Sequence, residues 1–463
     1  MAPNSSGRVC WAPLLVAACA LLFGCRDSDR AVSPGAPAPA PGGAASRVSA
    51  RVSPSAPSLA PAKREPELAR PYNVLLIMID SLRWDMPWSG YPRPITPRLS
   101  ALSKRCTLYP RAYALSSYTA KSVAPALVGK YGSEMPRDGM FFTRWPDSNL
   151  FISERAQAAG HRTLSGQGHG YFMPQLGLNQ GYDDYRLLEG TFLDVTGVHD
   201  VTSERLNALA KQMLAQAQPA GSGDAKRFFA YFHFLDPHHS YILHQGHPNY
   251  GSGRRDLYDN EVHYTDHWVG DLIDFVSAQP WAQQTALIIT ADHGEGFGEH
   301  GHYRHSYEVW EALVRVPWMI CLPGVPGRRI EAPRGHIDLA PTIADLMGLP
   351  NDPPLRGVSL LPEVLGGPVR PRPVLVDLPR ADLMDRRRAL IDGPHKLIAF
   401  GDDQRFELYE VVSDPREERE LSQAQPALLE RMQELYRTLS AAIPTQPIVG
   451  GARLQGAPAG RPW

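Results

Sequence analysis

The sequence has no excess of charge of either sign. Its 47 lysines and arginines face 48 aspartates and glutamates, which gives a formal net charge of -1. Proteins that bind nucleic acid through a basic surface carry a clear positive excess. We therefore expect no nucleic-acid partner. Hydrophobic residues make up 43% of the chain, as in a globular protein with a substantial core.

Cysteine is scarce, with five residues in 463. Cys10 and Cys19 fall in an N-terminal apolar segment and Cys25 ends it, which leaves Cys106 and Cys321 for the folded part. None of them has the spacing of metal ligands. The last two could pair in an oxidising compartment. Because spacing says nothing about proximity, we expect two free thiols.

Long apolar runs are also missing, except for one near the N terminus. The stretch "VCWAPLLVAACALLFGC" follows Arg8 and ends at small residues and Cys25. It is too short and too near the terminus for a transmembrane helix, so residues 1–25 are expected to be a signal peptide. Its ending, "LFGC", resembles the lipobox of bacterial lipoproteins, which implies lipid attachment at Cys25. An ordinary secretory signal that is cut nearby is the alternative.

Both readings place the protein outside the cytoplasm. Lipid on Cys25 would hold it at a membrane of the cell envelope. The residue that follows Cys25 is Arg26 and not an aspartate, which suggests the outer membrane, with the protein facing the periplasm or the cell surface. Residues 26–70 are rich in Ala, Pro and Ser and predict a disordered tether. Residues 444–463 predict a loose tail.

Between the tether and the tail, apolar runs alternate with helical patterns. The runs that predict buried parallel strands span residues 73–79, 227–235, 285–290 and 316–322. Helical periodicity occurs in residues 149–159, 201–217, 258–279, 337–347 and 424–441. This alternation predicts an α/β fold with a mainly parallel central sheet flanked by helices, over residues 71–365. Residues 366–443 predict a small C-terminal α+β subdomain, with an antiparallel hairpin and a helix.

Acidic residues and histidines follow three of the predicted strands. Asp80 follows the first strand, "DPHH" (236–239) the second and "DHGE" (292–295) the third. Sites in such sheets form at the carboxyl ends of the strands, so we expect these side chains to converge. An isolated acid in this position usually caps a helix or forms a turn. Three such strand ends favour a cation that keeps crowded carboxylates ionised.

Histidine affects the expected choice of metal. Imidazole suits zinc or similar transition metals, whereas magnesium and calcium prefer oxygen ligands. His293 beside Asp292 therefore favours zinc or manganese, with calcium as an alternative. The loop "GEGFGEHGHYRHSYE" adds His300, His302 and His305, which we expect to line a site wall.

Several motifs together resemble the sulfatase branch of the alkaline phosphatase superfamily. They occur in that family's order over residues 70–440: "NVLLIMIDSLRWD", "PHHSY", "TADHGEGFGEHGHYRHSYEVWEALVRVPWMICLPG", "HIDLAPTIADLMGLP" and "FELYEVVSDPREERELS". The resemblance implies a metal-dependent ester hydrolase or transferase with an alkaline-phosphatase-like sheet. It also implies that Asp80, Asp292 and His293 bind metal, and that His238 and His305 contact the substrate. Asp266, Glu308 and Asp338 match family positions as well, and we expect them to be structural.

The chain departs from this family at the nucleophile. Sulfatases carry Cys-X-Pro-Ser-Arg, whose cysteine becomes formylglycine. Counting back from "GKY" (129–131), the cysteine's position is Thr119, with Lys121 at the proline, Ser122 at the serine and Val123 at the arginine. Threonine cannot become formylglycine. It resembles instead the phosphoester-handling relatives, in which a metal-activated threonine attacks phosphorus.

We therefore expect Thr119 to be the nucleophile and Lys121 to replace the missing arginine as a point charge. Because Pro125 is tolerated in a first helical turn, Ser122 is expected to cap the following helix, with Thr119 just ahead of it. Ser122 as nucleophile, or an unusual modification, remains an alternative.

The sequence thus predicts an enzyme that acts on phosphate or sulfate esters of a glycan, lipid or envelope polymer. Sulfate-ester hydrolysis without formylglycine is one alternative. A silent relative that only binds anionic glycans or lipids is another.

Overall fold

The computed structural model describes residues 71–190, 201–218, 226–382 and 384–448. The predicted signal peptide, the lipid site at Cys25 and the tether lie outside these residues, as does the tail after residue 448. Within the described part of the chain, no helix has both the length and the apolar character needed to cross a membrane.

The helices and strands alternate along the first two thirds of the described chain. The helices are α1 (Pro97–Ser103), α2 (Thr119–Val128), α3 (Ile152–Ala158), α4 (Ser203–Ala217), α5 (Arg254–Ser277), α6 (Glu311–Val314), α7 (Leu339–Met347), α8 (Leu361–Val364) and α9 (Pro426–Ala441). The strands are β1 (Asn73–Ile79), β2 (Thr107–Tyr113), β3 (Arg162–Gln167), β4 (Asp184–Leu187), β5 (Phe228–Phe234), β6 (Thr285–Ala291), β7 (Gly296–Phe297), β8 (Tyr303–Arg304), β9 (Arg315–Cys321), β10 (Arg328–Arg329), β11 (Arg334–Gly335), β12 (Val374–Leu378), β13 (Arg387–Asp392), β14 (His395–Phe400) and β15 (Arg405–Glu410).

A large, mostly parallel sheet forms the centre, which confirms the predicted fold class. Its strand order is β10-β2-β9-β6-β1-β5-β3-β4, and β11 also pairs with β2. Strand β1 lies between β5 and β6 and is parallel to both. Every residue of these three strands is buried, which explains their continuous apolar sequences. Two groups of helices pack on the sheet: α1, α4 and α5 in one, and α2, α3 and α7 in the other.

One predicted strand has the opposite direction. Strand β9, expected to be parallel, is antiparallel to both β6 and β2. A short, fully apolar run has the same pattern in either direction, so the sequence carries no sign of this reversal. Strand β3 was not predicted because "RTLSGQ" is mostly polar, although all but its first residue are buried.

The C-terminal subdomain contains a four-stranded antiparallel sheet in the order β12-β13-β14-β15. The predicted hairpin and helix are present, and β12 adds a strand at one edge. Met432 and Tyr436 of α9 are buried in this subdomain's core. Asp377 of β12 accepts hydrogen bonds from the backbone N–H and the hydroxyl of Ser133, at 2.7 and 2.8 Å. Because Ser133 follows α2, this contact joins the subdomain to the part of the chain that carries Thr119.

The first residues of the predicted tail contact the folded part. The Gln446 N–H donates a 2.8 Å hydrogen bond to the Ser133 carbonyl, and Ile448 forms a β-bridge with Arg137.

Cys106 and Cys321 form a disulfide, so the expectation of two free thiols was wrong. They are 215 residues apart in sequence, but their Cα atoms are 4.4 Å apart. Thr107 of β2 pairs with Ile320 of β9, which places Cys106, just before β2, beside Cys321 at the end of β9. Only the tertiary pairing of β2 with β9 reveals this proximity.

The double substitution of Cys106 and Cys321 by serine is expected to lower the free energy of unfolding by roughly 2–5 kcal/mol, because a disulfide constrains the unfolded chain most when it closes a long loop. Denaturant unfolding followed by circular dichroism measures the change. A reducing agent should destabilise the wild-type protein and leave the double variant unaffected. Equal stability of the two proteins under oxidising conditions would contradict this prediction.

Candidate active site

Two carboxylates meet at the carboxyl edge of the central sheet, as predicted. Ile79 pairs with Ala291 at the ends of the parallel strands β1 and β6. The next residues, Asp80 and Asp292, therefore lie side by side. Both are essentially inaccessible to solvent. Such buried carboxylates need compensating partners, because burial disfavours their charge.

His233 completes this group and was not identified from the sequence. It lies in β5, paired with Met78 of β1. Its Nε2 is 3.1 Å from Asp80 Oδ2 and 3.8 Å from Asp292 Oδ2. The potential ligand atoms of the three residues all lie within 4.8 Å of one another. The one sign of His233 in the sequence was that it is a single histidine near the end of the apolar run "FFAYFHF".

His293 presents a lone pair to the same carboxylates. Its Nδ1 is 2.8 Å from the Gly294 carbonyl. Because a carbonyl only accepts, Nδ1 carries the proton, and in the neutral ring Nε2 is then unprotonated. This Nε2 lies 3.5 Å from Asp80 Oδ1 and 3.4 Å from Asp292 Oδ2. In the neutral form of His293, Nε2 is therefore a hydrogen-bond acceptor that faces two carboxylate oxygens, which are acceptors as well.

This crowding of acceptors fits a bound cation. Asp292 Oδ2 is buried and has no hydrogen-bond partner within the described chain. Burial by itself raises the pKa of Asp80, but the charge of His238 and the hydrogen bond with His233 hold that pKa well below its usual value. Carboxylate oxygens together with imidazole nitrogens suit a transition metal such as zinc or manganese better than calcium. We call Asp80, His233, Asp292 and His293 the Asp80 cluster.

Thr119 lies against the Asp80 cluster. Its Oγ1 is 3.2 Å from Asp80 Oδ2 and 3.2 Å from His293 Nε2. Thr119 is the first residue of α2, with Tyr118 as the N-cap. The free N–H groups and dipole at a helix N terminus favour negative charge there. The hydroxyl thus sits where an attacking oxygen could be activated.

The start of α2 corrects the expected cap. Ser122 lies inside the helix, and its Oγ donates a 2.6 Å hydrogen bond to the Asp292 carbonyl. Pro125 lies within the same helix. A proline at that depth removes one helical hydrogen bond, a cost that the surrounding packing must offset. Ser122 thus ties α2 to the end of β6, and its oxygen is already engaged.

Lys121 lies in a different environment from the one expected. It is fully buried, and its amine donates to the Thr143 hydroxyl. Burial, together with the charge of Arg137, lowers the pKa of Lys121 to about 7. A role for Lys121 as a charge that binds the substrate remains a prediction.

His305 and His238 line the space beside the Asp80 cluster. The His305 ring centre is 4.4 Å from that of His293 and 5.0 Å from that of His238. Glu295 holds His305, since both of its oxygens are 3.3 Å from His305 Nδ1. Burial disfavours the charged form of His305, but the charge and hydrogen bonds of Glu295 outweigh it and raise the pKa.

His169 is a further histidine that was missed. Its ring centre is 5.7 Å from that of His238. Its Nδ1 accepts a 3.1 Å hydrogen bond from the Tyr171 N–H, which leaves Nε2 to carry the proton. The motif "QGHGYF" is glycine-rich like the His305 loop, but nothing in it indicated this position.

Two other candidates, Asp236 and His300, have structural contacts. Asp236, expected to converge with the other strand-end acids, instead accepts the N–H groups of Thr202 and Ser203 at 2.7 and 2.8 Å, at the start of α4. His300 stacks on Trp310, with ring centres 3.8 Å apart. His302 Nε2 is buried and has no hydrogen-bond partner in the described part of the chain.

The family-position acids are structural, as expected. Asp266 accepts the N–H groups of Arg98 and Leu99 at 2.8 Å each, at the N terminus of α1. Asp338 and Glu308 form ion pairs with arginines of the C-terminal part, Arg372 and Arg387 respectively.

The central sheet is mostly parallel, and a buried cluster of carboxylates and imidazoles lies at its carboxyl edge. A hydroxyl at a helix N terminus lies beside this cluster. These features together define the class of the protein, the ester hydrolases of the alkaline phosphatase superfamily. Two family models match the chain. "Sulfatase" covers residues 72–349, and "N-sulphoglucosamine sulphohydrolase, C-terminal" covers residues 298–443. The chain belongs to the sulfatase family.

Individual relatives are distant. The choline-sulfatase of Rhizobium meliloti (strain 1021) is 32% identical over 167 residues, which cover 35% of this chain and 32% of that protein. The N-acetylgalactosamine-6-sulfatase of Canis lupus familiaris is 25% identical over 370 residues, 66% of this chain and 68% of that one. The chain therefore spans about a third of the first relative and about two thirds of the second.

Solved structures share the fold. Ps i-CgsB superposes with a TM-score of 0.66 at 21% identity, over 81% of this chain and 94% of that one. The phosphonate monoester hydrolase of Silicibacter pomeroyi gives a TM-score of 0.61 at 21% identity, over 80% and 95% of the two chains. Both likenesses agree with the central sheet and the C-terminal subdomain described above.

Proposed function

We propose that the protein is a metal-dependent hydrolase or transferase that cleaves phosphate or sulfate esters with Thr119 as its nucleophile. One observation carries this proposal: Thr119 Oγ1 lies 3.2 Å from both Asp80 Oδ2 and His293 Nε2. A threonine that only begins a helix does not need contacts with a buried carboxylate and a buried imidazole. Asp80, Asp292 and His293 would hold the metal, with His233 beside them.

A divalent ion held by Asp80, Asp292 and His293 would supply Lewis acidity, which would lower the pKa of a nearby hydroxyl and offset the negative charge of ester oxygens. The residues of the chain perform the other steps. Asp80 accepts the Thr119 proton along their hydrogen bond while Oγ1 bonds to phosphorus or sulfur. The bond to the leaving oxygen breaks, and His305 or His238 protonates that oxygen. Water or a second alcohol then attacks the phosphorus or sulfur and gives its proton to the same histidine. The bond to Thr119 Oγ1 breaks, and Asp80 returns its proton to Oγ1, which restores the hydroxyl.

One relative and one solved structure favour a carbohydrate as the alcohol part of the substrate. One relative is an N-acetylgalactosamine-6-sulfatase, and Ps i-CgsB has been solved with a neocarrahexaose. Phosphonate monoester hydrolases share the fold. Because threonine replaces the cysteine at position 119, the formylglycine route is closed to this chain. Phosphoesters are therefore the first substrates to test, with sulfate esters of glycans as the second candidate class.

A silent binding relative is the remaining alternative. Such a protein has no need for a buried carboxylate like Asp292, whose Oδ2 lacks a hydrogen-bond partner in the described part of the chain, or for a hydroxyl held beside it. The Asp80 cluster therefore favours catalysis.

Turnover of nitrophenyl phosphodiester, phosphomonoester and sulfate by the purified full-length protein tests the proposal. The protein is first stripped with a chelator and then given zinc, manganese or calcium. We expect turnover of at least one phosphoester that requires zinc or manganese. Failure with all three esters, combined with failure to bind metal, would support the silent relative.

Substitution of His305 by alanine is expected to lower kcat by about 10²–10⁴-fold, which is the usual contribution of a general acid. The loss should be smaller for a nitrophenyl ester than for an alkyl ester, because nitrophenolate leaves without protonation. His300→Ala is the matched control, since this histidine of the same loop stacks on Trp310. Equal losses for the two esters would rule out proton donation by His305.

Lipid anchoring at Cys25 belongs to the same proposal, since it places the enzyme beside envelope polymers. Cys25→Ala is expected to move the protein from the membrane fraction to the soluble fraction of a bacterial host. A wild-type protein that is already soluble in that host would favour the ordinary secretory signal.

A further inference from the structure

A second group of histidines joins α5 to the segment between β5 and α5. His247 comes from this connecting segment, residues 235–253. His263 and His267 are four residues apart on α5, so they lie one turn apart on the same face. The His247 ring centre is 5.3 Å from that of His263 and 5.5 Å from that of His267. The His247 ring thus lies close to two imidazoles, those of His263 and His267, whose backbone is fixed in α5.

The distance between two ring nitrogens fits shared coordination. His247 Nδ1 and His263 Nδ1 are 3.1 Å apart. Two imidazoles bound to one tetrahedral zinc, with Zn–N distances of about 2.0–2.1 Å, have their nitrogens about 3.3 Å apart. Without a cation, one ring must donate to the other through this pair of atoms. His267, one helical turn further along α5, has its ring centre 5.5 Å from that of His247 and would supply a third imidazole once its exposed side chain turns toward the pair.

Burial and the neighbouring rings oppose protonation of His247 and His263. Burial, reinforced by the neighbouring histidines, lowers the pKa of His247 to about 4. Burial and His267 also lower the pKa of His263. Neutral imidazole is the form that binds metal. His267 is exposed and the other two are partly exposed, so an ion can enter from solvent.

The nearby His244 has a different role. Its Nε2 is 2.6 Å from Glu261 Oε2, and its ring stacks on Tyr264 with centres 3.8 Å apart. These contacts hold the connecting segment to α5 without a metal. The Ile242 N–H adds a 2.8 Å hydrogen bond to Glu261.

We propose that His247, His263 and His267 form a second metal site, which takes zinc or another ion that prefers imidazole, such as copper(II). This site is separate from the Asp80 cluster, with which it shares no residue. Its ion ties the connecting segment to α5. The same segment carries His238, so the ion would restrict the motion of one wall of the candidate active site.

Zinc counting tests this site independently of catalysis. The full-length protein is stripped with a chelator, incubated with excess zinc, desalted and analysed by mass spectrometry of the metal. We expect His263→Gln and His267→Gln each to retain one zinc fewer per chain than the wild type. Asp292→Asn should keep this zinc while losing the one at the Asp80 cluster. His161→Gln, which removes another partly buried histidine, should match the wild type.

Copper(II) gives a second readout. Electron paramagnetic resonance of the Asp292→Asn protein loaded with one equivalent of copper should show several coupled nitrogen ligands, and His267→Gln should reduce their number. Because His267 is exposed, its substitution should leave the melting temperature in chelator unchanged. Equal zinc contents in the wild type and His267→Gln, or copper spectra unaffected by the substitution, would overturn the proposal.

Discussion

Substitution of Thr119 by alanine is expected to abolish ester turnover, with a fall in kcat on the order of 10⁴–10⁶-fold, as when a covalent nucleophile is removed. The Thr119 hydroxyl is the only reacting group that this change removes. The methyl group of alanine fits the same helical position, and alanine favours helix. The melting temperature should therefore change little. Steady-state kinetics on the best nitrophenyl ester, with the metal content measured in parallel, gives the result.

Two variants separate the hydroxyl from its surroundings. Thr119→Ser keeps an attacking oxygen and should retain measurable turnover. Ser122→Ala removes a hydroxyl that donates to the Asp292 carbonyl, at 2.6 Å, and should cost far less than Thr119→Ala. Full activity in Thr119→Ala combined with an inactive Ser122→Ala would transfer the nucleophile's role to Ser122.

Substitution of Asp292 by asparagine is expected to remove both metal binding and turnover. The change preserves shape but replaces an oxygen of the Asp80 cluster, Oδ2, that has no hydrogen-bond partner among the residues that the structure describes. In the metal-free protein it also relieves the repulsion between this oxygen and Asp80. The variant should therefore be at least as stable as the wild type in chelator, and added zinc or manganese should not raise its melting temperature. Ligand binding to the native state stabilises only where the site exists.

Asp236→Asn is a matched control for that variant. Asp236 also follows a strand of the central sheet, but its carboxylate accepts N–H groups at the start of α4. Its substitution should lower stability by roughly 1–3 kcal/mol, because the amide NH₂ leaves one of the two N–H groups without an acceptor, and should leave the metal content unchanged. Loss of metal in Asp236→Asn but not in Asp292→Asn would contradict the assignment of the metal ligands.

Much of the fold and three of the four residues of the Asp80 cluster could be predicted from the sequence, for a physical reason. Asp80, Asp292 and His293 follow apolar strands directly, and parallel strands end at one edge of a sheet. His233 could not be predicted because it lies inside an apolar strand, where a histidine most often reads as part of the core. Asp236 shows the limit of the same rule, because a strand-end acid serves equally well as a helix cap.

The remaining errors concern long-range pairing. The direction of β9 depends on how the chain returns to the sheet, and its own residues are apolar in either orientation. The bond between Cys106 and Cys321 follows from that pairing and from nothing local. The start of α2 at Thr119, rather than at Ser122, depends on a tertiary contact of Ser122 with the Asp292 carbonyl.

The central claim is that an ester bond forms on Thr119 during turnover. Rapid quenching of the metal-loaded protein with its best substrate, followed by peptide mass spectrometry, tests this claim most directly. We expect a phosphoryl or sulfo group on the peptide that contains Thr119, at the Thr119 oxygen itself, and its absence in Thr119→Ala. Turnover with the modification on Ser122, or turnover with no modified peptide under conditions that trap a covalent ester, would contradict the proposed mechanism.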